Sequence, residues 1–385
     1  MHADTVLCTT AIARMRRQVL ALSVSVLLLG VSSLAGCIHD KVVLRRINIA
    51  PQQYGHRRSP DWQSIRIELD YSGIENAIPN LQRAYIKAIV SDAREWLQAS
   101  LHVERVRGNL LLADWRTDEE RQAGHGFCGD QVDLPTAYTE LGQGVSADLV
   151  IFVMSQQTVE CAPRASGNWV AYASHCQQDT YHRPIAGFIQ LCPQHFGVKQ
   201  DPRAVEHDVN TALHEMFHVL GFTREFLMPR THIEDQDKTS EKPRILLQTP
   251  SVLARARAHF GCPTLAGVGL TSDWNHWDAE DMGTDFMTAA RDRASQVRSS
   301  LTLALLEDLG WYQVNYSQAD ILHWGFRKGC NFVTSGSSSS SSSIVGNILA
   351  VAFLICCTFF VVSASCLFAP KCSHTTSSNE SHQPP

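Results

Sequence analysis

Apolar residues recur along this chain in several distinct rhythms. "IRIELDY" (65–71) alternates apolar and polar positions, the period of a strand with one covered face. Leu81 to His102 carries apolar residues at helical spacing without proline or glycine, which predicts a long amphipathic helix. "ADLVIFVMS" (147–155) is a continuous apolar run of strand length, as suits a central strand covered on both faces. "WVAYAS" (169–174) and "IAGFIQL" (185–191) predict two further short strands. In "VEHDVNTALHEMFHVLGF" (205–222), Val209, Leu213, Phe217 and Leu220 mark the apolar stripe of another helix. Asp208 and Asn210 are its candidate N-caps, and Gly221 is placed to end it in a left-handed conformation. Strands and a long helix ahead of this one predict an α+β fold whose N-terminal lobe holds a mixed sheet.

Two longer apolar runs carry a different message. Arg14, Arg16 and Arg17 precede Val19 to Ala35, almost wholly apolar and ending in "SLA", the layout of a secretory signal over residues 1–35. An uncleaved N-terminal anchor is the alternative. Ile344 to Phe368 holds no charge and, at 1.5 Å per residue, is long enough to cross a hydrocarbon core of about 30 Å. It predicts a transmembrane helix followed by a short cytoplasmic tail, 369–385. The serine-rich stretch 335–343 reads as a flexible spacer between anchor and ectodomain. The expected location is the cell surface, with a single pass and the N-terminal part outside.

Charge and cysteine usage narrow the class further. With 33 basic and 38 acidic residues and no long run of either sign, nothing favours nucleic acid as a partner. Cys128, Cys161, Cys176, Cys192, Cys262 and Cys330 make an even set in the ectodomain, suited to disulfides in an oxidising lumen, and spacing leaves their pairing open. None falls in a CxxC pattern, which disfavours a cysteine-bound structural zinc. "NYS" at Asn315 is a candidate glycosylation site.

The chemistry concentrates in "LHEMFHVLGF" (213–222). Four residues apart on a helix, His214 and His218 point the same way one turn apart and can share one metal ion. Glu215, about 100 degrees round from His214, is placed beside the ion without replacing a ligand, as a general base requires. His207 is too far along the helix to join them, and reads as a surface or packing residue. A catalytic zinc takes three protein ligands and leaves one position open, so a third is needed. His232, His259, His276 and His323 are the downstream histidines, and Glu234 and Glu241 the acidic alternatives.

The compact metzincin pattern HExxHxxGxxH is present as far as Gly221, but its third histidine is replaced by Arg224. "HWDAEDMGTDFMT" (276–288), "FGCPTLAG", "LTLALLEDLGWYQVNYSQAD" and "WGFRKGCNF", together with "ADLVIFVMS", resemble blocks of the leishmanolysin family in family order, over roughly Arg66 to Val333. These are membrane-linked zinc endopeptidases with a long insertion before the third histidine. The resemblance implies a metzincin-like fold with a mostly irregular and helical C-terminal lobe and one Zn2+ per chain on His214, His218 and His276. It further implies Glu215 as general base and acid, and Met287 in a turn beneath the metal. It pairs Cys128 with Cys176 and Cys262 with Cys330, which leaves Cys161 with Cys192.

By the same resemblance, "GCIHDKV" (36–42) looks like an inhibitory pro-segment, 36–60, whose Cys37 thiolate closes the zinc's open position. Lipid attachment at "LAGC" is the competing reading of Cys37. The expected function is hydrolysis of proteins or peptides at the cell surface by a metal-activated water, with a contribution to cell adhesion. A catalytically silent adhesion or binding ectodomain is the alternative, and the intact Glu215 argues against it because binding needs no base.

Overall fold

A computed structural model describes residues 48–50, 61–129, 132–162, 169–234, 244–289 and 296–334. The signal, Cys37, the serine-rich spacer, the apolar run Ile344 to Phe368 and the tail lie outside the described residues. Among the described residues, no helix is long and apolar enough to cross a membrane.

The strands are β1 (Asn48–Ala50), β2 (Trp62–Ser64), β3 (Ile67–Asp70), β4 (Leu101–Glu104), β5 (Leu149–Met154), β6 (Ala171–Asp179), β7 (Pro184–Leu191), β8 (Thr231–Glu234), β9 (Arg244–Leu247), β10 (Val268–Leu270) and β11 (Gln313–Val314). The four longer helices are α1 (Asn80–Ser100), α2 (Pro202–Leu220), α3 (Pro250–Phe260) and α4 (Ser300–Asp308). The main sheet runs β1-β6-β7-β5-β3, with β6 antiparallel to β7 and the other pairs parallel. A mixed sheet is therefore present. Two antiparallel three-stranded sheets, β11-β4-β2 and β10-β9-β8, complete it.

β5 shows why its sequence is apolar at every position. Leu149, Ile151 and Val153 face the core that contains α1 and α2, whereas Val150, Phe152 and Met154 face a second core built around Phe127, Tyr138 and Phe188. Both faces are covered, so no polar alternation survives.

The chain departs from its apolar rhythm in three places. Within "IRIELDY" only Ile67–Asp70 are strand, and β2 just before it belongs to a different sheet. The chain changes sheet around Arg66, whose main-chain N–H and guanidinium both donate to buried Asp148. The first helix ends at Ser100, and Leu101 and His102 already belong to β4. β6 continues past its apolar residues through Gln177, Gln178 and Asp179, all buried. Burial is tolerated there because the side chains are paired: the Gln177 amide exchanges hydrogen bonds with the main chain of Ala113.

α2 also starts earlier than its stripe suggests. Asp201 caps it by accepting from the Arg203 N–H, and Pro202 occupies the first turn. Asp208 and Asn210 are thus interior rather than caps. Asp208 accepts from Tyr85 and Lys199, and Asn210 accepts from Arg298 at 2.7 Å. α2 lies across β6 and β7 and against α1. Its approach to β7 needs Gly187, where a Cβ would meet Val219 Cγ1 at 2.4 Å and the Ser174 carbonyl at 2.8 Å.

Three disulfides join Cys128 to Cys176, Cys161 to Cys192 and Cys262 to Cys330. The last ties the end of α3 to the short helix Cys330–Thr334.

Candidate active site

The last two turns of α2 carry His214, Glu215 and His218, all buried. Gly221 ends the helix at φ 125, a region that favours glycine, and its N–H closes on the Phe217 and His218 carbonyls. The turn directs the Phe222 carbonyl back to His218, which it holds at 2.7 Å from Nδ1. His214 Nδ1 is held likewise, 2.7 Å from the Phe286 carbonyl.

His276 arrives from the far end of a long insertion that builds the β10-β9-β8 sheet. It sits in the loop between β10 and the segment at Trp277, where Leu270 bridges Trp277. The loop is stitched internally: the Thr271 N–H donates to the His276 carbonyl at 3.0 Å, and the His276 N–H donates to Thr271 Oγ1 at 3.2 Å. Asp273 accepts from the Thr271 hydroxyl and the Asn275 N–H, and its carboxylate lies 3.7 Å from His276 Nδ1. Burial pushes the Asp273 carboxyl up, but His276, the Thr271 hydroxyl and the Asn275 N–H together outweigh it and hold the group well below the ordinary carboxylate range.

His214, His218 and His276 converge, each offering a ring nitrogen within 4.8 Å of the others. Among the described residues no other such group of three forms. His207 is half-buried beside Asp208, away from the other rings, and His232 and His323 are exposed. His259 bonds the Trp324 carbonyl through Nε2. Glu241 lies outside the described residues, as does the side chain of Glu234.

The rings fit a metal on chemical grounds. A carbonyl only accepts, so Nδ1 of both His214 and His218 carries the proton, and Nε2 is the nitrogen each ring has left for a metal. Those two Nε2 atoms stand 3.1 Å apart. Two ring nitrogens that close share a cation, either a proton or a metal ion, and the third ring extends the set to the three protein ligands of a catalytic zinc. With Zn–N bonds of about 2.0–2.1 Å, tetrahedral ligand atoms lie roughly 3.4 Å apart, close to this spacing.

Met287 is fully buried. Its carbonyl accepts from the Trp277 N–H at 3.0 Å and its N–H donates to Asp285 Oδ1 at 2.8 Å. The turn therefore reaches the site through main chain, by the Phe286 carbonyl on His214. Asp285 holds this arrangement from below, because its second oxygen accepts from Thr302, whose hydroxyl accepts from Trp277 Nε1 at 2.8 Å. Complete burial pushes its carboxyl up to about 6 despite these hydrogen bonds. Sequence reasoning passes over Asp273 and Asp285. Only their positions, three before His276 and two before Met287, could have drawn notice. Asn315, the glycosylation candidate, is half-buried, with its amide nitrogen donating to the Ala99 carbonyl and its oxygen accepting from Ser317.

Comparison with known proteins gives this geometry a context. A family model described as leishmanolysin matches residues 77–357. A leishmanolysin-like peptidase of Drosophila pseudoobscura pseudoobscura is 32% identical over 241 residues, covering 50% of this chain and 34% of the relative. A ciliated left-right organizer metallopeptidase of Danio rerio is 28% identical over 331 residues, covering 70% and 52% respectively. The protein of the same description from Homo sapiens is 36% identical over 188 residues, covering 42% and 23%. The chain spans about half or less of the length of these relatives.

Proposed function

The chain belongs to the leishmanolysin family of peptidases, and on that premise we propose that it is a zinc-dependent endopeptidase of the cell surface acting on proteins or peptides. The observation that carries this reading is the convergence of three buried imidazoles beside a buried glutamate on the same helix. His214, His218 and His276 would hold the ion. When bound, zinc supplies Lewis acidity, which lowers the pKa of a water to about 7 and stabilises charge on a carbonyl oxygen.

The chain's own residues do the rest. Glu215 takes a proton from the attacking water and delivers it to the leaving amine. The Phe222 and Phe286 carbonyls fix which nitrogen of His218 and His214 faces the ion, and Asp273 stands behind His276 in the same role. The main chain of Met287 keeps the floor of the site in place. The residue 1–35 signal and the Ile344 to Phe368 span would carry the protein to the surface and hold it there, with Cys37 keeping the uncleaved form silent.

The test is digestion of an unstructured protein by the purified chain, with and without a chelator, beside Glu215→Ala. Cleavage that needs metal and disappears with Glu215→Ala is the expected result. Zinc uptake without any cleavage would favour a silent binding ectodomain instead.

A further inference from the structure

In the compact metzincin pattern the third ligand stands where this chain has Arg224, and the structure shows what Arg224 does in its place. Its main-chain N–H donates to Asn275 Oδ1 at 2.9 Å, across 51 residues of sequence. Its guanidinium lies 4.4 Å from the centre of the Trp274 ring, within cation–π reach. Trp274 Nε1 donates to Thr231 Oγ1 at 3.2 Å, and the Thr231 hydroxyl in turn donates to the Met228 carbonyl at 2.8 Å. Residues where the insertion begins, Arg224 and Thr231, thus grip residues where it ends, Trp274 and Asn275.

The grip falls on a strained point. Trp274 has φ +60, a region that a bulky aromatic residue enters only when its surroundings hold it there. Its ring is held on its face by Arg224 and at its edge by Thr231. Asn275, buried and bonded to Arg224, lies next, and His276 follows directly. Release of Trp274 to a negative φ would turn the peptide leading into His276 and swing its imidazole away from the other two.

We infer that Arg224, Trp274 and Asn275 form a clasp that positions His276 as the third metal ligand, an inference that rests on the metal reading above. They are positioning residues, acting on the ion only through His276.

The experiment measures zinc affinity of the full chain by competition with a chromophoric chelator, together with the melting temperature of metal-free and zinc-loaded protein. Asn275→Ala and Trp274→Ala are expected to weaken zinc binding about tenfold or more, and to shrink the gap between the two melting temperatures. Asn275→Asp, which keeps the acceptor, should recover most of the loss. Arg224→Gln alters only an exposed side chain and should fold, yet bind zinc several-fold more weakly. Asp308→Ala serves as the structural control, since Asp308 accepts from the first N–H groups of α3. It should lower both melting temperatures alike and leave zinc affinity unchanged. Clasp variants that behave like Asp308→Ala would overturn the inference while leaving the metal reading intact. A parent chain that takes up no zinc would remove both.

Discussion

His214 and His218 face each other through Nε2 atoms 3.1 Å apart, while each Nδ1 is pinned 2.7 Å from a main-chain carbonyl. On the metal reading, the two Nε2 atoms would share one ion. Removing metal should lower the melting temperature, and zinc at about a thousandfold above its Kd should restore roughly 4 kcal/mol of stability. Calorimetry with chelator and with added zinc measures this. Identical melting curves in the two conditions would count against a metal at the site.

Gly221→Ala tests the turn that aims His218. The φ of 125 is strained for alanine, and the new Cβ would stand 2.8 Å from Leu309 Cδ1. A cost above about 1 kcal/mol is expected, which lowers the melting temperature by about 2–4 °C per kcal/mol in a domain of this size. Because Phe222 orients His218, zinc affinity should fall too. A variant with parental affinity would show that the turn does not set the ring.

Met287→Leu separates a floor from a ligand. The contacts that link this turn to the site come from main chain and from Asp285, and leucine keeps them. The swap should cost less than about 1.5 kcal/mol. Zinc should still load at one per chain, and peptide hydrolysis should stay within several-fold of the parent. Loss of zinc on metal analysis would instead point to ligation by the thioether.

Asp285 gives a pH dependence with a definite sign. Its carboxyl ordinarily titrates near 3.8 and is pushed to about 6 in the folded protein. Between those values the folded chain keeps a proton that the unfolded chain has released, so stability falls as pH rises through the window. The full penalty, about 3 kcal/mol, is present above pH 6. Metal-free parent and Asp285→Asn, compared by denaturant unfolding at pH 4.5 and 7, should show that the variant lacks this component. Equal pH dependence in both would refute the assignment.

Local pattern reveals some parts of this fold and hides others. The stripe of Val209, Leu213, Phe217 and Leu220 announces a helix, and the doubly covered β5 is plain from "LVIFV". HExxH with Gly221 places two rings and a glutamate, because spacing on a helix is geometry. The third ring needed the family resemblance: no periodicity relates His276 to His218, and their meeting depends on how the insertion folds. The buried polar end of β6 was hidden for a similar reason, since Gln177 is acceptable inside only because distant Ala113 completes its hydrogen bonds. The start of α2 could have been read from Asp201-Pro202, a stronger signal than Asp208.

On the metal reading, the three-stranded sheet of the insertion would make ion capture a late event in the life of the chain. Before β8, β9 and β10 assemble, α2 can offer only two rings, and a pair of donors grips zinc far more weakly than a trio. A newly made molecule would therefore stay harmless to its neighbours until its remote segment has docked. Loading with metal would then be a sign that maturation is complete, and defects scattered through that segment would show themselves first as missing zinc.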